Sequence, residues 1–199
     1  MNVSIVIQAG GQSSRMGEDK GLVELCGKPM IQNIIDRLSP YADEMIITTN
    51  RPGSYKQFGI QMFEDIYKDY GALAGLHTAL SSAKNEMVFV IACDLPFVNT
   101  SLFKFMKNMF EAKPVDLVIP RTEKGYEPFY AFYKRNTCLP LVTDAIESGK
   151  RRLISWFENA MVHPIYEDQL REFDPNLNSF VNINTPEDLE NAQNNCIQV

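Results

Sequence analysis

The sequence predicts a three-layer α/β/α fold built on a mostly parallel, mixed β-sheet. Two observations carry this prediction. Short apolar runs alternate with segments that carry apolar residues at helical spacing, over about the first 125 residues. The first apolar run ends in a glycine-rich loop, and a helical pattern follows it. Ligands of such folds bind outside the carboxyl ends of the strands, so we expect the functional residues to converge at that edge.

The elements of the first half follow from these patterns in chain order. The opening strand is rich in β-branched residues, and the fourth strand is apolar throughout, as strands covered on both faces are. We predict strands over Val3–Gln8, 44–49, 60–63 and Met87–Ala92, with helices over Met30–Leu38 and 73–83.

Caps and turns mark the elements of the second half. We predict a helix that is capped by Asn99 or Thr100 and continues through Met109, then a strand over 115–119 and a turn at 123–125. An aromatic strand over 128–133 follows, and helical stretches then lead to a final helix capped by Thr185. Tyr130 and Tyr133 of the aromatic strand are expected in the core, because aromatic residues in strands usually pack there.

Composition narrows the class of protein. The chain has 199 residues, of which 45% are hydrophobic, and its net charge of -6 disfavours nucleic acid as a partner. No apolar stretch approaches the length of a membrane span, and the N-terminal one is too short for a signal peptide. We therefore expect a cytoplasmic protein without membrane contact. The four cysteines lie far apart without a C-x-x-C pair, which predicts reduced thiols instead of a zinc site.

The loop after the first strand is the most informative segment. It reads AGGQSSRMGEDK, and its glycines let the backbone approach a phosphate closely. Its spacing fits neither the dinucleotide fingerprint nor the P-loop. Arg15 and Lys20 are matched in charge by Glu18 and Asp19, so attraction for a triphosphate requires both cations to turn inward and both acids outward. The alternative is a strand-to-helix turn with two solvated cations.

The same segment resembles the signature of an enzyme family. The string G-G-x-S-x-R-M-G-x-D-K, followed by GKP at 27–29, is similar to the signature of the molybdenum cofactor guanylyltransferases, within a wider class of nucleotidyltransferases. The resemblance continues in order along nearly the whole chain, at ED 64–65, YGALAG 70–75, CDLP 93–96, EP 127–128 and VNINTPE 181–187.

The resemblance implies a GT-A-like fold and a defined reaction. The reaction is transfer of GMP from GTP to molybdopterin or Mo-molybdopterin, with Mg²⁺ as cofactor and pyrophosphate released. One domain is implied over residues 1–199, with a nucleotide-binding half at about 1–125 and an acceptor-binding half at about 126–199. Molybdoenzymes or their chaperones are the further partners implied, and we expect a monomer or a weak oligomer.

Three residues are implied in catalysis. Asp94 follows a buried strand and matches the family's magnesium ligand, and a carboxylate suits that hard ion. Lys20 matches the lysine that contacts the nucleotide's phosphates, and Arg15 would clamp phosphate oxygens as a fork. The structural alternatives are a turn or helix cap for Asp94 and solvated surface charges for the two cations.

The implied nucleotide site draws on several strand ends. Asp65 matches an acid that contacts guanosine in relatives, and a fixed carboxylate favours guanine, which presents N–H donors where adenine has an acceptor. An ordinary turn residue is the alternative for Asp65. Some relatives carry asparagine where Thr48 aligns, so either Thr48 or Asn50 is expected to contact the nucleotide. The implied nucleotide-binding residues are Gln8, Ala9, Gly10, Gly11, Lys20, Thr48, Asn50, Asp65 and Asp94.

The acceptor site is implied in the second half. Arg151 and Arg152 belong to a basic run that resembles a family cluster and could receive the acceptor's phosphate, with a solvated helix face as the alternative. Asn182 and Asn184 match positions near the site, although Asn184 is also suited to a turn before the last helix.

Two other functions stay open on the sequence. A cytidylyltransferase acting on molybdopterin, or on a sugar or alcohol phosphate, could share the fold. A non-catalytic nucleotide-binding regulatory protein could keep the fold without the chemistry. The joint presence of Arg15, Lys20, Asp65 and Asp94 argues against the second, because a degenerate site is expected to have lost at least one of them.

Overall fold

A central β-sheet organises the computed structural model, which describes residues 1–10 and 19–195. Within these residues the sheet has eight strands in the order β10-β7-β9-β6-β1-β4-β5, with β8 paired to β7, and β2 and β3 form a separate two-stranded sheet. The strands are β1 (Val3–Gln8), β2 (Glu24–Leu25), β3 (Lys28–Pro29), β4 (Glu44–Thr48), β5 (Gln61–Phe63), β6 (Met87–Ala92), β7 (Leu117–Thr122), β8 (Gly125–Tyr126), β9 (Tyr130–Lys134) and β10 (Val162–Tyr166).

The strand directions confirm the mixed, mostly parallel sheet. β1 pairs in parallel with β4 on one side and β6 on the other, and β5 continues the parallel set beyond β4. β9 runs antiparallel between β6 and β7, while β10 is parallel to β7. The carboxyl ends of β1, β4, β5 and β6 therefore lie along one edge.

Helices cover both faces of this sheet. They are α1 (Met30–Leu38), α2 (Gly71–Ser82), α3 (Thr100–Ala112), α4 (Arg135–Glu147), α5 (Glu167–Phe173) and α6 (Pro186–Asn195). Buried residues of α1, α3 and α5 share one core cluster with Phe89 and Ile91, whereas α2 and α4 share the other with Val88 and Val90. This alternation along β6 is the two-residue period of a strand, and it confirms the three layers. Among the described helices, none is long and apolar enough to cross a membrane.

The most regular elements match the sequence-based expectations closely. The bounds of β1, α1 and β6 are those predicted, and Tyr130 and Tyr133 are fully buried. Asn99 caps α3, because its side-chain oxygen accepts from the backbone N–H groups of Ser101 and Leu102 at 2.9 and 3.0 Å.

Two differences arise from pairing at the far side of the sheet. β7 runs on to Thr122, beyond the predicted end at 119, because it turns back through a two-residue hairpin into β8. β10 was not predicted: its sequence, VHPIY, contains a proline and lacks a continuous apolar run. Among the described strands it pairs only with β7, and an edge strand tolerates a proline because one side needs no ladder hydrogen bonds.

The cysteines differ in their state. Cys93 and Cys138 are buried free thiols, and burial raises the pKa of the Cys138 thiol to about 12. Cys26, which is exposed beside β3, is disulfide-bonded. The expectation of reduced thiols was therefore wrong for Cys26, because spacing along the chain does not show which cysteines a fold brings together.

Candidate active site

The carboxyl ends of β1, β4 and β6 are held in register just past the last ladder pairs. The backbone N–H of Ala9 donates to the Thr48 carbonyl at 2.8 Å, and that of Cys93 donates to the Gln8 carbonyl at 3.0 Å. The glycine loop and the segment that carries Asp94 therefore start side by side. Gly10 is exposed at this edge, whereas Gly11 and Arg15, both predicted for the site, lie outside the described residues.

Lys20 and Asp94 meet across this edge. The Lys20 Nζ lies 3.7 Å from Asp94 Oδ2, and the two side chains are 27% and 18% exposed, so the pair is sheltered yet reachable from solvent. Burial raises the pKa of Asp94 above its ordinary value, and the charge of Lys20 opposes that rise. Asp94 Oδ1 is buried and, within the described part of the chain, accepts no hydrogen bond. A buried carboxylate oxygen without a partner is suited to coordinating a cation.

The segment before α6 docks onto the same pair. The N–H of Ile183 donates to the Asp94 carbonyl at 3.0 Å, and Lys20 Nζ donates to the side-chain oxygen of Asn184. Asn184 is held in turn by Asp188, whose carboxylate accepts from the Asn184 N–H at 3.0 Å. Asn184, predicted for the acceptor site, therefore lies beside the predicted catalytic residues. Asn182 is exposed.

A reciprocal bond confirms the predicted cap of the last helix. Thr185 Oγ1 accepts from the N–H of Asp188 at 3.1 Å, and Asp188 Oδ2 accepts from the N–H of Thr185 at 2.9 Å. These two bonds fix the turn that carries Asn184.

Asp65 and Asn50 form a second polar pair along the edge. Asn50 Nδ2 donates to Asp65 Oδ2 at 2.7 Å, and its side-chain oxygen accepts from the Asp65 N–H at 3.1 Å. Asn50 is exposed, whereas Thr48 is 1% exposed and its buried hydroxyl has no hydrogen-bond partner in the described region. Of the two residues between which the sequence left the choice open, Asn50 presents its side chain beside Asp65.

Asp19 corrects one expectation about the glycine loop. Lys20 turns inward as predicted, but Asp19 does not turn out to solvent: its carboxylate accepts a hydrogen bond from the hydroxyl of Tyr55. Tyr55 is fully buried on a 3-10 helix over Pro52–Phe58. That helix was not predicted, so the sequence carried no signal that an acid of the loop would face it.

The side chain of Gln8 fills the space between β1 and α2. Gln8 is 8% exposed, its Oε1 lacks a hydrogen-bond partner among the residues described, and its amide nitrogen lies directly over Gly75. A Cβ at Gly75 would overlap that nitrogen and approach Gln8 Cδ to 2.6 Å. Glycine at this position therefore leaves room for the Gln8 amide.

Gly75→Ala should displace the amide of Gln8, a residue that the family resemblance places in the nucleotide site, and should therefore weaken nucleotide binding. Because the clash is with the movable end of a side chain, we expect a folded protein whose affinity for GTP falls by roughly threefold to tenfold, equivalent to about 1 kcal/mol. Isothermal calorimetry measures this. Gly53→Ala is the matched control, since a Cβ there meets nothing within 4 Å. Wild-type affinity in Gly75→Ala would show that Gln8 takes no part in the site.

Arg151 is engaged by the loop between β5 and α2. Its Nη1 donates to the carbonyl of Asp69, and its guanidinium lies 5.0 Å from the centre of the Tyr70 ring. Arg152 is exposed. Of the four residues predicted for the acceptor site, Asn184 therefore contacts Lys20, and Arg151 contacts Asp69 and Tyr70 in the loop between β5 and α2.

The contact of Arg151 with Tyr70 was missed by the sequence reasoning. Tyr70 was noted only as part of the YGALAG string. A stack between residues so far apart in the chain leaves no local pattern. The only available signal was that an arginine and an aromatic residue both lay in segments shared with the family.

Comparison with known proteins finds relatives over nearly the whole chain. A family model of the MobA-like NTP transferase domain matches residues 5–163. A molybdenum cofactor guanylyltransferase of Desulfosudis oleivorans is 35% identical over 192 residues, covering 96% of this chain and 94% of that protein. One of Vibrio campbellii is 36% identical over 189 residues, covering 94% and 92%.

A solved structure shows the same likeness in three dimensions. The molybdopterin-guanine dinucleotide biosynthesis protein A of Archaeoglobus fulgidus superposes with a TM-score of 0.85 at 28% identity. The match covers 98% of this chain and 100% of that one, so it includes both the edge that carries Asp94 and the far strands β7 to β10.

Proposed function

The chain belongs to the MobA-like NTP transferase family, and from that membership we propose that it transfers GMP from GTP to the terminal phosphate of molybdopterin or Mo-molybdopterin, releasing pyrophosphate. The observation that carries the proposal is the pair of Lys20 and Asp94 at the carboxyl edge of the sheet. This pair combines a cation for phosphate oxygens with a buried carboxylate oxygen that has no hydrogen-bond partner in the described part of the chain and is suited to a metal ion.

We propose Mg²⁺ as the metal and Asp94 as its ligand. The buried Oδ1, which has no hydrogen-bond partner among the described residues, fits a hard cation that takes one or two protein carboxylates and completes its shell with phosphates and water. When bound, the ion neutralises charge on the triphosphate and polarises its phosphorus–oxygen bonds. No cluster of three or more histidine, cysteine or acidic side chains occurs among the described residues, which favours a site completed by the substrate.

The protein's own side chains and backbone N–H groups would align the triphosphate and stabilise the charge that develops during transfer. Lys20 would follow the charge that develops on the transferred phosphate, and Asn184 holds its ammonium in place. Arg15 and the N–H groups of the glycine loop, including those of Gly10 and Gly11, would hold the triphosphate. The acceptor phosphate is already anionic near neutral pH, so the reaction needs no general base, and catalysis consists of alignment and charge stabilisation.

We assign guanine recognition to Asp65, with Asn50 as its support. Asn50 donates to the Asp65 carboxylate and accepts from the Asp65 backbone N–H, and together these bonds fix the carboxylate's orientation. A fixed carboxylate accepts from the ring N–H and the exocyclic amino group of guanine and rejects bases that lack those donors.

Asp65→Asn is expected to weaken GTP binding on the order of tenfold or more, because an amide replaces one acceptor with a donor that faces guanine's own N–H groups. Calorimetric titration with GTP measures the loss. Glu64→Gln is the matched control, since Glu64 is the exposed neighbouring acid that pairs only loosely with Lys68, at 4.0 Å. Equal affinities in wild type and Asp65→Asn would remove Asp65 from the base site.

The acceptor side and the setting of the reaction complete the proposal. We place the acceptor's phosphate near Asn184, with Asn182 and Arg152 as the exposed groups that meet the rest of the molecule.

Strands of both halves share one sheet, which supports a single domain over residues 1–199. We further propose a cytoplasmic monomer or weak oligomer that passes its product to molybdoenzymes or their chaperones.

Pyrophosphate release from each of the four nucleoside triphosphates, with and without Mg²⁺ and molybdopterin, tests the proposed function. We expect GTP to be the only one of the four nucleotides that releases pyrophosphate, and only when both Mg²⁺ and molybdopterin are present. Release from CTP instead would identify a cytidylyltransferase, and GTP binding without any release would identify a non-catalytic nucleotide-binding protein.

A further inference from the structure

The loop between β5 and α2, residues 64–70, carries Asp65 and is tied down at several points; we call it the base loop. At its start, Asn50 holds Asp65 through two hydrogen bonds. The next residue, Ile66, donates its N–H to Thr78 Oγ1 of α2 at 3.1 Å. The beginning of the base loop is therefore fixed by Asn50, two residues past the end of β4, and by α2.

The rest of the base loop contacts α4, which lies in the acceptor-binding half. The hydroxyl of Tyr67 donates to Glu147 at the end of α4 over 3.4 Å, and its ring packs edge-on against His77 with centroids 4.8 Å apart. Tyr67 and Tyr70 also contact edge to face, with centroids 6.1 Å apart. The aromatic side of the loop thus lies between α2 and α4.

Arg151 contacts the last two residues of the base loop. Its guanidinium covers the Tyr70 ring and donates to the carbonyl of Asp69. Asp69 has a φ of +64°, in the left-handed region that costs a non-glycine residue free energy. A charged donor on the carbonyl of that residue stabilises the turn, and the stacked cation adds a second contact.

The segment that carries Arg151 is itself anchored. Lys150 donates to the carbonyl of Ser155 at 3.2 Å, and its own N–H bonds to the Ala145 carbonyl of α4 at 2.9 Å. Trp156, which is 1% exposed, anchors the segment because it packs in the core cluster that contains buried residues of α2 and α4. Arg151 therefore extends from a fixed base, as a side chain that positions another loop must.

We propose that Arg151 is a positioning residue for guanine recognition: it holds the base loop, through Asp69 and Tyr70, so that Asp65 keeps the orientation that selects guanine. This inference rests on the proposed function, because it takes Asp65 as the guanine ligand. It differs from the sequence-based assignment of Arg151 to the acceptor phosphate. One face of the guanidinium and one of its donors are already engaged on the nucleotide side.

The test compares the binding of GTP and ITP in the absence of an acceptor. Inosine lacks guanine's exocyclic amino group, so the ratio of the two dissociation constants reports how well Asp65 is oriented. Arg151→Ala and Tyr70→Leu should each lower the preference for GTP on the order of tenfold, as coupling through packed side chains and an exposed cation–π contact allows. Arg151→Lys and Tyr70→Phe, which keep a cation and a ring, should retain most of it.

Arg171→Ala is the matched control. Arg171 is an exposed arginine on α5 that also donates to a backbone carbonyl, that of Pro175 at 2.6 Å, but it does not touch the base loop. We expect this variant to keep the wild-type ratio. Thermal unfolding of every variant separates a local loosening of the loop from a loss of fold.

The possible outcomes distinguish a failure of the guanine assignment of Asp65 from a failure of the positioning role of Arg151. If the wild-type protein does not prefer GTP to ITP, the guanine assignment in the proposed function fails. If wild type prefers GTP and Arg151→Ala keeps that preference, the positioning role is overturned; a raised KM for molybdopterin in a separate turnover assay would then assign Arg151 to the acceptor. An equal loss of affinity for GTP and ITP would also overturn it, since that result indicates a contact with the shared ribose or phosphates.

Discussion

Replacing Asp94 with asparagine is expected to slow pyrophosphate release on the order of a hundredfold or more, the usual effect of removing one key electrostatic group from an active site. The substitution keeps the size of the side chain and removes its charge. Asparagine can still offer one oxygen, but a neutral oxygen binds a hard cation less strongly than a carboxylate does. Because the metal acts on charge that develops during transfer, the loss should appear in kcat at saturating GTP and Mg²⁺.

Asp36→Asn provides the control for this prediction. Asp36 lies on α1 and is bound to Lys28 at 2.6 Å and Gln32 at 2.7 Å, both on the exposed surface. The same chemical change there should leave turnover at the wild-type rate. A wild-type rate in Asp94→Asn as well would show that Asp94 is not the metal ligand.

Replacing Lys20 with methionine is expected to lower kcat by roughly a hundredfold to a thousandfold. Methionine keeps much of the length and the apolar stem but cannot donate to phosphate oxygens. Two further contacts are lost with the ammonium: the ion pair with Asp94 and the hydrogen bond to Asn184. Single-turnover measurements with preformed GTP complex separate the chemical step from binding.

Lys107→Met tests whether loss of any sheltered lysine has this effect. Lys107 pairs with Glu111 at 2.7 Å along α3 and is 25% exposed, close to the 27% of Lys20. We expect wild-type turnover from this variant. If Lys20→Met lost affinity for GTP but transferred bound GMP at the normal rate, Lys20 would contribute to binding only.

The fold was predictable where local patterns determine the structure. β1 and β6 are apolar on both faces because helices cover both, and such runs are recognisable in a sequence. β10 and the extension of β7 depend instead on pairing with strands distant in the chain. Their residues carry no periodic signal, because tertiary neighbours determine their conformation.

The part of the candidate site at the carboxyl ends of the parallel strands was predictable from the fold. The rule that parallel strands end at a common edge predicted that Lys20 and Asp94 would meet, and the family resemblance identified both. The partners that hold them in place were not predictable. Asn184 reaches Lys20 across 164 positions, and Arg151 reaches Asp69 across 82, and neither contact leaves a spacing that a sequence shows.

The claim on which the account depends is that Lys20 and Asp94 act on one shared metal-bound triphosphate. The most direct measurement is the rate of pyrophosphate release from wild type, Lys20→Met, Asp94→Asn and the double variant under the same saturating conditions. Residues that act as a unit are strongly non-additive. We predict that the double variant is about as slow as the slower single variant. A rate reduced by the product of the two single effects would contradict the account, because it would show that the two side chains act independently.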